Sequence, residues 1–286
     1  MPELPEVETV RRGLAPAMAG RRVDRLELRR ADLRFPFPPR LAERVSGARI
    51  EALDRRAKYL LFHLDSGDTV LGHLGMSGRM SVVDAGAAAT PGAFTHARAT
   101  LPAHDHVVFH LETGAQVVFN DPRRFGYFDL VETGALQTSR WLADLGPEPL
   151  SEAFSPSHFA SAFSGRRGPV KTALLDQTAV AGLGNIYVCE ALWRARISPR
   201  RRADTAAAGA RGARLVAAVK EVIAEAIEAG GSSLRDHAKA DGSLGYFQNA
   251  HAVYGRDGEP CPRCANEVAL VRQSGRSTFF CPTCQR

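Results

Sequence analysis

Four of the five cysteines in this 286-residue chain stand near its C-terminus, as Cys261-Pro262-Arg263-Cys264 and Cys281-Pro282-Thr283-Cys284. Each CxxC pair sets two sulfurs at one tight knuckle, and four thiolates complete a tetrahedral metal shell. The chain must therefore leave one knuckle and return to the other, so the span between them reads as a β-hairpin. Phe279 and Phe280 lie near its end, and Arg272 and Arg276 in or beside it. One structural Zn2+ ion is expected, because four protein ligands leave no open coordination position for catalysis. Redox chemistry is the alternative use of such pairs. Cys189 stands outside the scheme and reads as a buried helix thiol.

Upstream, the texture changes twice. Leu4, Val7, Val10 and Leu14 recur about one helical turn apart, which predicts an amphipathic helix buried on one side, closed by Gly20 or the loop behind it. From Arg22 to Val131 short apolar runs dominate: Lys58–Leu64, Thr69–Leu71, Val107–Leu111 and Gln116–Phe119. Turn signals such as Asp65-Ser66-Gly67-Asp68 and Glu112-Thr113-Gly114 separate them, a pattern suited to a β-sandwich or barrel. Ala85–Arg98 is rich in Ala, Gly and Thr and reads as a surface loop or insertion. A linker with Trp141, Gly146, Pro147 and Pro149 then leads into helical spacing over Val170–Val180, Ile186–Ile197 and Ala210–Ala229. Ala181-Gly182-Leu183-Gly184-Asn185 makes a Gly-rich turn between the first two, whose backbone can approach a phosphate closely. Gly242–Gly245 mark a loop running into Tyr246-Phe247.

The net charge of +6 favours a polyanionic partner, with nucleic acid the leading candidate. No apolar run approaches the ~20 residues of a membrane helix. The acidic, Pro-interrupted start lacks the n- and h-regions of a signal peptide, and the paired cysteines suit metal rather than disulfides. A cytoplasmic protein is expected. The start itself, Met1-Pro2-Glu3-Leu4-Pro5-Glu6-Val7-Glu8-Thr9, has two readings. In one, Pro2 and Pro5 start a helix and the glutamates suit its dipole. In the other, loss of Met1 makes Pro2 a secondary amine with a pKa near ~8, able to form Schiff bases, with Glu3 and Glu6 moving protons beside it.

These motifs together resemble bacterial formamidopyrimidine-DNA glycosylases, which are bifunctional glycosylase/AP lyases. The matches run through Pro2–Thr9, Arg55-Arg56-Ala57-Lys58-Tyr59-Leu60-Leu61, His73-Leu74-Gly75-Met76-Ser77-Gly78 and His104-Asp105-His106-Val107. They continue with Asp121-Pro122-Arg123-Arg124-Phe125-Gly126, Gly182-Leu183-Gly184-Asn185-Ile186-Tyr187, Gly245-Tyr246-Phe247 and Gly275–Cys281. Essentially the whole chain is covered. The resemblance implies an α+β multidomain fold: an N-terminal helix on a β-sandwich, a helix–two-turn–helix domain and a C-terminal β-hairpin zinc finger. Its expected bounds are 1–135 for the catalytic domain, 136–150 for a linker, 151–245 for the helical domain and 246–286 for the finger. DNA would lie in a cleft between the two halves.

The resemblance also implies roles. Pro2 would attack the sugar C1′, Glu3 would donate a proton at the sugar ring oxygen or base, and Glu6 would support by relaying or positioning. Lys58 would meet a phosphate near the amine and count with Pro2, Glu3 and Arg276 among the catalytic residues; on its own it reads as a solvated strand lysine. Met76, Arg123 and Phe125 would fill the hole left by a flipped nucleotide, although alone they read as core residues and a surface charge. His104, Arg124, Asn185 and Arg276 would contact backbone phosphate, and Lys171 would lie near the damaged nucleotide. Cys261, Cys264, Cys281 and Cys284 would hold zinc, with no organic cofactor. The expected partner of this monomer is duplex DNA carrying oxidised purines or abasic sites, met at the nucleoid, with no membrane. The expected product is a strand broken by β,δ-elimination. Rival readings are an endonuclease VIII-type glycosylase for oxidised pyrimidines and a non-catalytic zinc-ribbon lesion sensor.

Overall fold

A computed structural model describes residues 2–83, 101–232 and 246–286. The Ala-rich stretch and residues 241–245 of the late loop lie outside the described residues. The chain divides into two compact units, one of residues 1–143 with 229–246, the other of 144–228 with 247–286.

In the first unit, α1 (Leu4–Met18) begins where Pro5 suits a first turn and ends before Gly20. Gly20 takes φ +74 and donates its N–H to Ile50 O at 2.7 Å, turning the chain towards the first strand. The predicted stripe is real: Leu4, Val7, Val10 and Leu14 are all fully buried. Strands β1 (Val23–Leu28), β2 (Ile50–Arg56), β3 (Tyr59–Leu64) and β4 (Asp68–His73) follow, with the short helix α2 (Leu41–Val45) between the first two. Then come β5 (Arg79–Val83), β6 (Asp105–Leu111), β7 (Gln116–Asn120) and β8 (Tyr127–Glu132). They pair antiparallel in two four-stranded sheets, ordered β1-β6-β7-β5 and β2-β3-β4-β8. Rings from the two sheets meet in one core: Phe62 on Phe109 at 5.6 Å and Phe119 against Phe128 at 5.0 Å. Val7, Val10, Leu14 and Met18 of α1 join that core, so the helix closes one side of a β-sandwich.

The second unit holds α3 (Pro156–Ala162), α4 (Val170–Leu174), α5 (Asn185–Arg194), α6 (Ala203–Ala207) and α7 (Gly209–Glu228), followed by β9 (Ala269–Gln273) and β10 (Arg276–Phe280). Apolar spacing over Val170–Val180 outruns the helix, which stops at Leu174. Two residues on, Asp176 accepts the N–H and hydroxyl of Thr178, at 3.0 and 2.7 Å, and this local turn competes with helix. Gln177 then shapes the Gly-rich turn. Its Oε1 accepts from Gly182 N, where φ is +88, and its amide donates to Leu175 O and Leu183 O. Buried Glu190 of α5 accepts the backbone N–H groups of Ala252, Val253 and Tyr254 at 2.8–3.0 Å, tying the approach to the finger onto the helix. Strands β9 and β10 pair antiparallel around a two-residue turn, Ser274-Gly275, in which both residues have positive φ. Among the described residues, no helix is long and apolar enough to cross a membrane.

Candidate functional site

Pro2, Glu3 and Glu6 come together at the start of α1, and all three are buried. Glu3 is the N-cap residue. Glu6 accepts the Glu3 N–H on Oε2 at 2.8 Å, one half of a capping box, and the Ser232 N–H on Oε1 at 2.8 Å. Gly231 lies against this carboxylate with φ +76, and a Cβ there would stand 2.9 Å from Glu6 Oε1. Both oxygens of Glu6 thus accept backbone N–H groups, fixing the residue that follows Pro2. Glu8, one turn on, binds Arg11 and Arg12 of its own helix and Arg55 of β2, so α1 is also pinned to the sheet.

Lys58 sits in the β2–β3 turn and is 8% exposed. The turn depends on Ala57 at φ +52, whose carbonyl accepts from Arg55 Nη1 at 3.0 Å. His73, at the end of β4, feels the Lys58 charge. Burial first, then Lys58 and Arg34, bring its pKa down to about 4. Its Nδ1 accepts from Gly75 N at 3.0 Å and its ring stacks on Tyr127 at 5.0 Å, so the neutral ring carries its proton on Nε2. Tyr59 and Trp141 complete this aromatic cluster, and burial pushes the Tyr127 phenol far above its usual range.

Met76 and Phe125 are among the few large apolar side chains left exposed, at 36% and 40%. They project from two tight turns that touch backbone to backbone. Gly75 has φ +64, and a Cβ there would lie 2.3 Å from Gly126 N. Fully buried Asp121 ties the turns together: Ser77 Oγ donates to Oδ1 at 2.5 Å and Gly126 N to Oδ2 at 2.8 Å. Arg123 donates its N–H to Ser77 Oγ at 3.3 Å, and its guanidinium lies 5.3 Å from the Phe125 ring centre. Exposed Arg124 takes φ +57 beside them, and His104 accepts the Asp121 N–H on its carbonyl. The trio and Arg124 therefore share one double turn, and His104 is tied to it through the Asp121 N–H.

In the second unit, Asn185 opens α5 directly after the Gly-rich turn. Its amide donates to Ser277 O at 2.9 Å, while its Oδ1, though buried, has no hydrogen-bond partner among the described residues. Lys171 of α4 is fully buried, with Nζ donating to the same Ser277 carbonyl at 2.8 Å and to Thr278 Oγ1 at 2.7 Å. Arg276 is exposed at the first position of β10.

The four paired cysteines form one cluster, all sulfurs within 4.8 Å of one another. Cys261–Cys284 and Cys264–Cys281 are 4.0 and 3.5 Å apart. Tetrahedral zinc with Zn–S bonds of ~2.3 Å requires about 3.8 Å between sulfurs, so the donor set fits the metal. Asn266 donates to Cys264 Sγ and the Trp193 indole to Cys261 Sγ, both at 3.4 Å, and these N–H groups suit thiolate acceptors. Burial and the neighbouring thiols push Cys284 up, which is the repulsion a divalent cation relieves.

Three family models match in sequence order. They are the formamidopyrimidine-DNA glycosylase N-terminal domain over residues 1–128, the H2TH domain of that glycosylase over 145–238, and a zinc finger found in FPG and IleRS over 258–286. The chain belongs to the formamidopyrimidine-DNA glycosylase family. Curated glycosylases of that name from Rhizobium etli and Jannaschia are 57% and 56% identical to it, over the full length of both partners. Among solved structures, MutM (Fpg) of Thermus thermophilus superposes with a TM-score of 0.84 at 42% identity, covering 99% of this chain and 98% of that one. Lactococcus lactis Fpg, in complex with DNA containing an abasic site, gives a TM-score of 0.86 at 34% identity over the whole of both chains. As a DNA-repair glycosylase of this family, the chain carries one structural zinc on Cys261, Cys264, Cys281 and Cys284. Sequence reasoning gave no role to His73, Asp121 or Gln177, although His73 and Asp121 fall within matched motifs. Their burial and hydrogen bonds, invisible in a motif, single them out.

Proposed function

We propose that this glycosylase removes oxidised purines, 8-oxoguanine and formamidopyrimidines, from duplex DNA and cleaves the strand at the resulting site. The buried junction of Pro2, Glu3 and Glu6 at the head of α1 carries the reading. Once residue 1 is removed, the Pro2 nitrogen attacks C1′ of an extruded nucleotide. The bond from C1′ to the base breaks, with Glu3 donating the proton that accompanies ring opening or base departure. The product is an iminium ion at C1′. The Glu3 carboxylate left by that donation takes a C2′ proton and the 3′ phosphate leaves as an anion; loss of the C4′ proton to water then expels the 5′ phosphate. Lys58 and Arg276 are read as the cations that stabilise the departing phosphates, which leave as anions, and Glu6 holds the Glu3 backbone in place. Hydrolysis of the final imine returns the amine.

The exposed Met76, Phe125 and Arg123 on their double turn support a flipped-nucleotide substrate, since an emptied base stack requires an apolar wedge and a hydrogen-bonding partner for the orphaned base. Arg124, His104, Asn185 and Arg276 are read as backbone contacts that add salt-dependent affinity. Solved Lactococcus lactis complexes contain Fapy-dG, an abasic site or an oxidised pyrimidine. The last of these favours a second reading, in which oxidised pyrimidines are also accepted.

Borohydride trapping on duplexes carrying 8-oxoguanine, thymine glycol or an abasic site tests the proposal. Covalent adducts are expected on the 8-oxoguanine and abasic duplexes. No adduct from protein verified to begin at Pro2 would refute the amine mechanism, and trapping only on thymine glycol would refute the purine preference.

A further inference from the structure

Lys171 presents a problem: a long cationic side chain on a five-residue helix, with no exposed surface. Covering an ammonium completely is costly unless strong acceptors compensate. A lysine that only had to meet a phosphate would gain nothing from such burial. Its acceptors point elsewhere, to the Ser277 carbonyl and the Thr278 hydroxyl of β10 at 2.8 and 2.7 Å. Asn185 Nδ2 reaches the same carbonyl at 2.9 Å, so two donors from two helices converge on its two lone pairs. That carbonyl belongs to the residue directly after Arg276.

The finger needs such a hold. A two-stranded hairpin is marginal by itself. Zinc pins it at Cys281, but Arg276 is five residues away, about 17 Å along an extended strand. The metal therefore fixes the base of the finger and leaves the tip to other contacts. Besides Lys171 and Asn185, the tip is tied by Gln273 Nε2 to Pro199 O at 3.2 Å and by Ser274 Oγ to Thr172 Oγ1 at 3.4 Å. Of these ties, the Lys171 and Asn185 hydrogen bonds fall on the strand that bears Arg276. The Lys171 pair is the shortest and most buried of these ties.

We propose that Lys171 is a positioning residue, which clamps β10 at Ser277 and Thr278 so that Arg276 is held ready for DNA. The inference rests on the functional reading of Arg276 given above, and the experiment separates the two. Hydrogen exchange in the free, zinc-loaded protein reads the clamp without DNA. Lys171→Met and the milder Thr278→Val are expected to speed exchange at residues 276–278 by at least about tenfold, the effect of losing about 1.4 kcal/mol, with zinc content unchanged. Unchanged exchange in both variants overturns the clamp.

Affinity for a duplex with a tetrahydrofuran abasic analogue reads its consequence. Lys171→Met should weaken binding several-fold in the wild-type background and less than twofold in an Arg276→Ala background, because the clamp acts through Arg276. Equal, multiplying losses in the two backgrounds would mean that Lys171 meets DNA itself, and would overturn the proposal. Normal binding by Arg276→Ala would instead refute the functional reading of that arginine, while the exchange result still decides the clamp.

Discussion

Asp121 is where a single atom change should reach the turns of Met76 and Phe125 without altering either side chain. Its carboxylate is fully buried and accepts from Ser77 Oγ and Gly126 N, one donor from each of the turns that carry Met76 and Phe125. Hydrogen bonds to a charged group contribute about 1.5–3 kcal/mol each, and neutral ones about 0.5–1.5. In Asp121→Asn the amide can still accept from Gly126 and can donate to the Ser77 oxygen, so both contacts survive without charge assistance. The loss is then about 1 kcal/mol per bond, or about 2 kcal/mol in all. Asp121→Ala removes both and strands the Gly126 N–H in the interior, for a loss of about 3–6 kcal/mol. Urea unfolding of the first unit, followed by exchange at residues 74–78 and 121–126, measures the change directly. Excision from an 8-oxoguanine duplex should fall in the same order, by up to about 30-fold for Asn if all 2 kcal/mol appears in the barrier. An Asp121→Ala stability within 0.5 kcal/mol of wild type, the range of an ordinary surface change, would refute the hold on the two turns. Equal damage from Asn and Ala would refute it as well.

His73 makes stability depend on pH. Its folded pKa of about 4 lies below the unfolded value of 6.5, so between those limits the unfolded chain binds the extra proton and stability falls as pH falls. The full shift is worth about 3 kcal/mol, present above pH 6.5 and lost by about pH 4, and His73→Gln should flatten that part of a denaturation-against-pH curve. Gly75→Ala should be severely destabilising, since it adds left-handed strain at φ +64 to a Cβ placed 2.3 Å from the Gly126 backbone. A thermal midpoint within 2 °C of wild type would show that the two turns are not in rigid contact. Cys264→Ser, or prolonged chelation, should release one zinc per chain and raise exchange through residues 261–284 while the first unit keeps its midpoint. Metal analysis with domain-resolved exchange checks both halves of that statement.

What the sequence revealed, and what it withheld, follows from the range of the forces involved. The stripe Leu4, Val7, Val10 and Leu14 is periodic and local, and each member is buried as expected. The cysteine spacing is equally local, because a knuckle is formed within four residues. The strands at Tyr59–Leu64 and Gln116–Asn120 were visible as apolar runs between turns. Helix α4 was over-read because apolar spacing says nothing of the Asp176 turn, where a side chain outcompetes the next helical hydrogen bonds. Lys171 was assigned through the resemblance alone, and its surroundings were not legible, since its acceptors lie more than a hundred residues along the chain.

This difference has a chemical cause. Groups that meet a substrate must have particular reactivity, so their residue types stay in a fixed order along the chain and a family resemblance can point to them, as it did for Pro2 and Met76. The groups that aim them need only a donor or acceptor at the right place, which many residue types supply. Asp121, Gln177, Glu190 and Lys171 share no motif, yet each spends its polar atoms on the backbone or side chains of a segment that carries a site residue or leads to the finger. Backbone N–H and C=O groups are alike in every residue except proline, which lacks the N–H, so such holds leave little imprint on the partner's sequence. A site can therefore be named from its reactive residues while the geometry that makes them reactive stays hidden until the fold is seen. For this glycosylase, substitutions in that supporting layer, rather than further replacement of Pro2 or the cysteines, will discriminate between a site that is present and one that is held.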